Sequence, residues 1–322
     1  MESRIERPPP LKSSFCRQDV TCFPVVRQTF IYELRNLSPQ ASLHNEAVPD
    51  FLSNGLSFSI PAVTFLPPEP YASPVSPAAV LLDDWHTLRR ASHPGGIRAQ
   101  LSAAMREEGL LKDEELFLDA FDYAASFHRS MTERDLREHT VEQVLSLAMY
   151  TLGEPVPPTD PKLRRAATRA LERSADQVVW YGDAQPFLQS LAERKVPVAL
   201  VTNTIFGLGR AWEDRLSRFL PTRILSREFG FVKPHPGIFL EAARALRVDP
   251  REAVFVGDLL LSDVWGAQRV GMTAVLVDRG DEVQGTYHAS DARLAAHLGI
   301  DMAAIRPDVT VTTLEDVLSL FA

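Results

Sequence analysis

A chain of 322 residues can hold one large domain or two modest ones, and 45% hydrophobic with 24% charged residues is the balance of an ordinary globular protein in water. A formal net charge of −8 disfavours nucleic acid and anionic membrane as partners, and no apolar run approaches the roughly 20 residues that a bilayer demands. The two cysteines, Cys16 and Cys22, are too few for a disulfide framework or a cysteine-rich metal site, so a cytoplasmic setting is expected.

Residues 1–77 read differently from the rest. Pro8-Pro9-Pro10, Pro67-Pro68 and the stretch Pro70 to Pro77 interrupt short, aperiodic apolar pieces, and the opening Met-Glu-Ser-Arg-Ile-Glu-Arg lacks the apolar segment of a secretory signal. This region is expected to be a disordered, Pro-rich extension ending in a linker, with room for a small docking element at Phe58 to Phe65. Then Ala79-Val80-Leu81-Leu82 runs into Asp83-Asp84-Trp85-His86-Thr87-Leu88, which is how a buried strand looks when its carboxyl end opens into a site.

Residues 97–179 read as helices. Leu116, Ala120, Ala124 and Phe127 repeat at helical spacing, Thr140-Val141-Glu142-Gln143 is a capping-box pattern, and Asp160-Pro161 places an N-cap before a first-turn proline. From Trp180 the pattern alternates. Asp183 is expected to cap a helix carrying Phe187, Leu188 and Leu191. A strand at Pro197 to Val201, a helix near Trp212 and a strand at Arg223 to Leu225 follow. Next come a helix from Pro236 to Leu246, a strand at Ala253 to Val256, a helix ending at Gly271 and a strand at Thr273 to Val277. An extra helix is expected between Asp281 and Arg306, and a last strand and helix span Val309 to Phe321. Strands separated by helices of this length imply right-handed crossovers and a mainly parallel sheet.

In such a sheet the strand ends share one edge, and these ends carry chemistry. Asp83 closes the first strand, Thr202-Asn203-Thr204 the second, and Gly257-Asp258 a third, with Asp263 five residues on; Lys233 precedes Pro234-His235-Pro236 at a helix start. Any one of them is a common turn or cap residue. Together they offer oxygen ligands suited to Mg2+, and an ammonium and a hydroxyl suited to a phosphoryl group.

These residues resemble the motifs of the haloacid dehalogenase-like hydrolase superfamily. Asp83-Asp84-Trp85-His86-Thr87-Leu88 matches its first motif, Asp-x-Asp-Gly-Thr-Leu, in part. Thr202 in Leu200-Val201-Thr202-Asn203 matches the second, Lys233 in Gly230 to Phe239 the third, and Gly257-Asp258 with Asp263 the fourth. The resemblance spans about Ala78 to Ala322. It implies a doubly wound, Rossmann-like parallel α/β sheet with an α-helical cap inserted after the first strand. The corresponding domains are an extension at 1–77, a core from 78–90 and 180–322, and a cap at 91–179. It further implies Asp83 as nucleophile and Mg2+ ligand, the backbone carbonyl of Trp85, Asp258 and Asp263 around the metal, Thr202 and Lys233 on the phosphoryl oxygens, and Asn203 as a cofactor-binding neighbour. The substrate implied is a small phosphorylated molecule; oligomeric state is not legible.

The chain departs from the motif where it matters. Trp85 stands where the family carries its second aspartate, the general acid, and His86 replaces the following glycine. Asp84 is no simple substitute, because neighbours on an extended chain point to opposite sides. His86 reads chiefly as a turn residue, with proton donation as the lesser alternative. Three readings stay open: a Mg2+-dependent phosphatase-type hydrolase working through an aspartyl-phosphate, a catalytically silent binding protein of the same fold, and a 2-haloacid dehalogenase, against which the pair Asp258 and Asp263 argues.

Overall fold

The computed structural model describes residues 77–91, 96–174, 178–206, 217–280 and 284–321, all within one compact unit of the chain. The extension (except Pro77) and the helix expected near Trp212 lie outside these residues.

Six strands form one sheet. They are β1 (Ala79–Leu82), β4 (Val198–Thr202), β5 (Thr222–Leu225), β6 (Ala253–Gly257), β7 (Thr273–Val277) and β8 (Val309–Val311), ordered β5-β4-β1-β6-β7-β8 and parallel at every pairing. The chain leaves β1 to build β4 and β5 on one side and β6, β7 and β8 on the other. The order therefore reverses at β1, the crevice where open α/β sheets bind their ligands. Leu82 pairs with Leu200 and Val256, which sets Asp83 and Asp258 just beyond the ends of β1 and β6 and beside the end of β4 at Thr202.

Alternation along the strands builds the two faces. Val80, Leu82, Leu200, Val254, Val256, Val275 and Val277 pack against Phe187, Leu188 and Leu191 of the helix Ala184–Glu193, and against Leu314 and Val317. Leu81, Ala199, Val201, Phe255 and Ala274 pack on the opposite face. Their partners are the helix Pro236–Leu246, the segment Leu260–Gln268, and Leu294 and Ala295 of the helix Gln284–Leu298. Every residue of β1 is fully buried, so a continuous apolar run rather than an alternating one is what this strand needs.

Between the short strands β2 (Arg89–Ala91) and β3 (Val178–Trp180) lie four helices, Gly96–Glu107, Glu114–Asp135, Val141–Thr151 and Pro161–Ser174, which share an apolar core of their own. The capping box at Thr140 is formed, with both reciprocal bonds present. The connection between the second and third of these helices is hydrogen-bonded to the sheet's loops. Val232 donates to the Leu136 carbonyl at 2.9 Å, Glu138 to Gly230 at 3.0 Å and Val141 to Ile205 at 3.1 Å.

Three expectations need correction. Val178 and Val179 are not the end of a helix. They pair antiparallel with Ala91 and Arg90, where β-branched and aromatic side chains favour a ribbon at the root of the insert. Asp183 occupies the N-cap position but does not cap. Its carboxylate is taken by Arg279, at 3.0 and 3.2 Å, and by the Leu314 amide at 2.8 Å. The segment before Gly271 opens as a π-helical turn, Leu260–Trp265, and only then becomes α-helical. Among the described residues no helix is long and apolar enough to cross a membrane.

Phe187 is fully buried against the sheet. Phe187→Ala should lower the unfolding free energy by about 3–5 kcal/mol, read as a lower urea midpoint with an unchanged slope.

Candidate active site

The loop after β1 is pinned from three directions. Asp83 donates its amide to the Val256 carbonyl at 2.9 Å, continuing the sheet one residue beyond β1. Asp84 turns to the other side, fully buried, and takes a two-pronged contact from Arg89, Nε at 2.6 Å and Nη2 at 2.5 Å. The loop closes on itself through His86 N–H to Arg89 O at 2.7 Å and Leu88 N–H to Asp84 O at 2.8 Å. His86 sits at φ 57°, a left-handed conformation that suits the glycine of the family motif, so the imidazole is carried on a turn built for another residue. Trp85 is half-buried, with the Arg89 guanidinium 4.4 Å from its ring centroid. Arg279, from the end of β7, reaches in to donate to the His86 carbonyl at 3.1 Å and the Thr87 carbonyl at 2.7 Å while it pairs with Asp183.

Across the sheet edge the carboxylates converge. Oxygens of Asp83, Asp258 and Asp263 all lie within 4.8 Å of one another, and all three residues are buried. Lys233, 2% exposed, joins two of them: its Nζ donates to Asp83 Oδ1 at 2.5 Å and to Asp263 Oδ1 at 2.7 Å. The other oxygen of Asp263 accepts the amides of Asp258 at 3.1 Å and Leu259 at 2.9 Å. Gly257 is required there, because a Cβ on it would overlap the Asp263 carboxylate. Asn203 spends its side chain on the Lys233 backbone, accepting from the amide at 2.8 Å and donating to the carbonyl at 3.1 Å. Thr202, the last residue of β4, is buried beside this group.

Burial raises the Asp83 carboxyl to about 7; the Lys233 charge pulls it down and Asp263 pushes it up. Asp258 is also held well above the usual carboxylate range, by burial first and then by Asp263 and Asp83, with Lys233 opposing them. Burial alone would lower the Lys233 ammonium, but Asp263 and Asp83 outweigh it and hold the proton on more tightly than usual. One ammonium does not neutralise three carboxylates in a dry pocket. The donor set, all oxygen and carrying excess negative charge, fits a hard divalent cation.

Two residues at this site carry no motif signal. Arg279 clamps the loop after Asp83. Asp291, from the helix Gln284–Leu298, accepts the Leu261 amide at 2.6 Å, the Ser262 amide at 3.0 Å and the Ser262 hydroxyl at 2.6 Å, just before Asp263. The extra helix expected between Asp281 and Arg306 is the element that carries it.

Residues 100–271 match the family model described as haloacid dehalogenase-like hydrolase, and residues 231–317 match one described as HAD-hydrolase-like. The chain belongs to the haloacid dehalogenase-like hydrolases. Relatives of this haloacid dehalogenase-like hydrolase include a glyceraldehyde 3-phosphate phosphatase of Methanopyrus kandleri, 42% identical over 105 residues, which is 31% of this chain and 44% of that one. A phosphoserine phosphatase of Thermus thermophilus is 33% identical over 136 residues, 42% of this chain and 55% of that one. The chain thus spans about half the length of the curated relatives it matches. The crystal structure of a HAD phosphatase from Thermococcus onnurineus aligns over 76% of this chain and 97% of that one, with a TM-score of 0.48 and 23% identity.

Two outcomes test this geometry. Arg89→Met removes the partner of the buried Asp84 carboxylate and should cost about 3–5 kcal/mol in urea unfolding; the double variant with Asp84→Leu should recover most of it. The second is a pH dependence. Asp83 has a folded pKa near 7 against 3.8 for the unfolded chain, so its contribution is fully present below about pH 4 and is lost as pH rises to about 7. In EDTA, the stability of the wild type relative to Asp83→Asn should therefore decline between pH 4 and 7 and level off above.

Proposed function

We propose that this chain is a Mg2+-dependent phosphatase for a small phosphorylated metabolite, acting through a phosphoryl group carried on Asp83. The observation that carries the reading is the Lys233 ammonium bridging Asp83 and Asp263 beside Asp258, at the edge where the strand order reverses. Asp83, Asp258 and the Trp85 carbonyl would hold the cation, with Asp263 as ligand or support. When bound, it would screen the negative charge of the carboxylates and of the phosphoryl oxygens. Lys233 and Thr202 orient those oxygens, and Asn203 fixes the backbone from which Lys233 extends. A carboxylate oxygen of Asp83 attacks phosphorus, the bond to the leaving oxygen breaks, and water then attacks the same phosphorus to free Asp83.

The four-helix insert serves as the cap that closes over the strand ends and selects the substrate. The domains are then an extension at 1–77, a core from 78–90 and 180–322, and a cap at 91–179. Relatives named for glyceraldehyde 3-phosphate and phosphoserine support a small phosphorylated substrate. The cysteine usage supports a cytoplasmic setting. Trp85 sets the limit on rate. An indole N–H cannot protonate a leaving oxygen, so alkyl phosphates turn over slowly and phosphates on weakly basic oxygens faster. The same residue favours the second reading, a silent binding protein of this fold.

The test is Mg2+-dependent phosphate release from an activated aryl phosphate and from an alkyl phosphate. Wild type should hydrolyse the aryl ester, Asp83→Asn should abolish this, and Trp85→Asp should accelerate the alkyl ester by about 10²–10⁴-fold. A silent wild type with an active Trp85→Asp would favour the binding protein. Inactivity of both would overturn the catalytic reading.

A further inference from the structure

The residues around Asp263 are held by more than the motif that contains them. Asp263 lies in the π-helical turn Leu260–Trp265, whose N-cap position, Leu259, offers no side chain to the free amides. Asp291 does so from a different element, the helix Gln284–Leu298 in the β7–β8 connection. It is 3% exposed, and its carboxylate collects three donors from two consecutive residues, Leu261 N–H, Ser262 N–H and Ser262 O–H. Those residues immediately precede Asp263. A carboxylate holding three hydrogen bonds in a buried site, two of them at 2.6 Å, fixes the turn's rotation about its own axis, and hence the direction in which Asp263 leaves it.

We propose that Asp291 is a positioning residue for the carboxylate cluster, acting through the Leu261–Ser262 turn to set the oxygens of Asp263 against Lys233 and any bound cation. The proposal rests on the metal reading given under Proposed function. Asp291 is not itself one of the converging carboxylates. Its effect is on the geometry of the cation site, not on the donor count.

The experiment measures Mn2+ affinity, by the paramagnetic resonance signal of free Mn2+, in wild type, Asp291→Ala, Asp291→Asn and Leu294→Ala. Leu294 lies on the same helix, 8% exposed in the apolar layer, and controls for general loosening. Asp291→Ala should weaken Mn2+ binding by about 10–100-fold, the usual scale for a partner lost behind a metal ligand. Asp291→Asn, whose one carbonyl oxygen can still accept two of the donors, should lose less, and it carries the test should the alanine variant not fold. Leu294→Ala should unfold at a lower temperature yet bind Mn2+ as the wild type does. Wild-type affinity in both Asp291 variants, or an equal loss in Leu294→Ala, would overturn the proposal alone. A wild type that takes up no Mn2+ would overturn the metal reading and this proposal with it.

Discussion

Lys233 is the group on which the arrangement of the site depends. It comes from the loop after β5 and reaches carboxylates borne by two other parts of the chain, Asp83 after β1 and Asp263 after β6. Without its charge, three acids would face each other in a pocket from which water is largely excluded, and they would keep their protons rather than stay together as anions. The surrounding bonds keep that ammonium in place. Asn203 grips the Lys233 backbone on both sides of the residue, and the neighbouring Val232 amide is bound to Leu136 of the helical insert. The carboxylate-bearing edge of the sheet and the insert are thus joined within one residue of the central lysine.

The sheet itself sorts the acids. Leu81 faces one apolar layer and Leu82 the other, and the same two-residue period carries on past the strand. Asp83 emerges on the side of Lys233, and Asp84 on the side of Arg89. One joins the carboxylate cluster around Lys233 and the other is consumed in an internal ion pair.

Most of the sheet was readable because its strands are short apolar runs ended by polar residues, and because helices of adequate length separate them. The crossover rule then placed Asp83, Thr202, Lys233 and Asp258 on one edge without any knowledge of side-chain geometry. What escaped the sequence were bonds between distant residues whose types are common everywhere. Asp183 looked like a helix cap and is a tether for Arg279, since a cap and a tertiary partner have the same local signature. Asp291 sits in a helix of weak apolar periodicity, and nothing near it in the sequence announces Leu261 and Ser262 as its partners. Val178 and Val179 read as part of the helical stretch because three residues are too few to show a strand period.

The buried pair of Asp84 and Arg89 also constrains how this protein can change over generations. Freeing Asp84 would strand the Arg89 guanidinium in the interior, so the acid next to Asp83 cannot take another role without first dismantling the loop. The accessible route is through position 85. Its tryptophan codon differs from both aspartate codons at every base, so an aspartate at that position is not reached by a single base change.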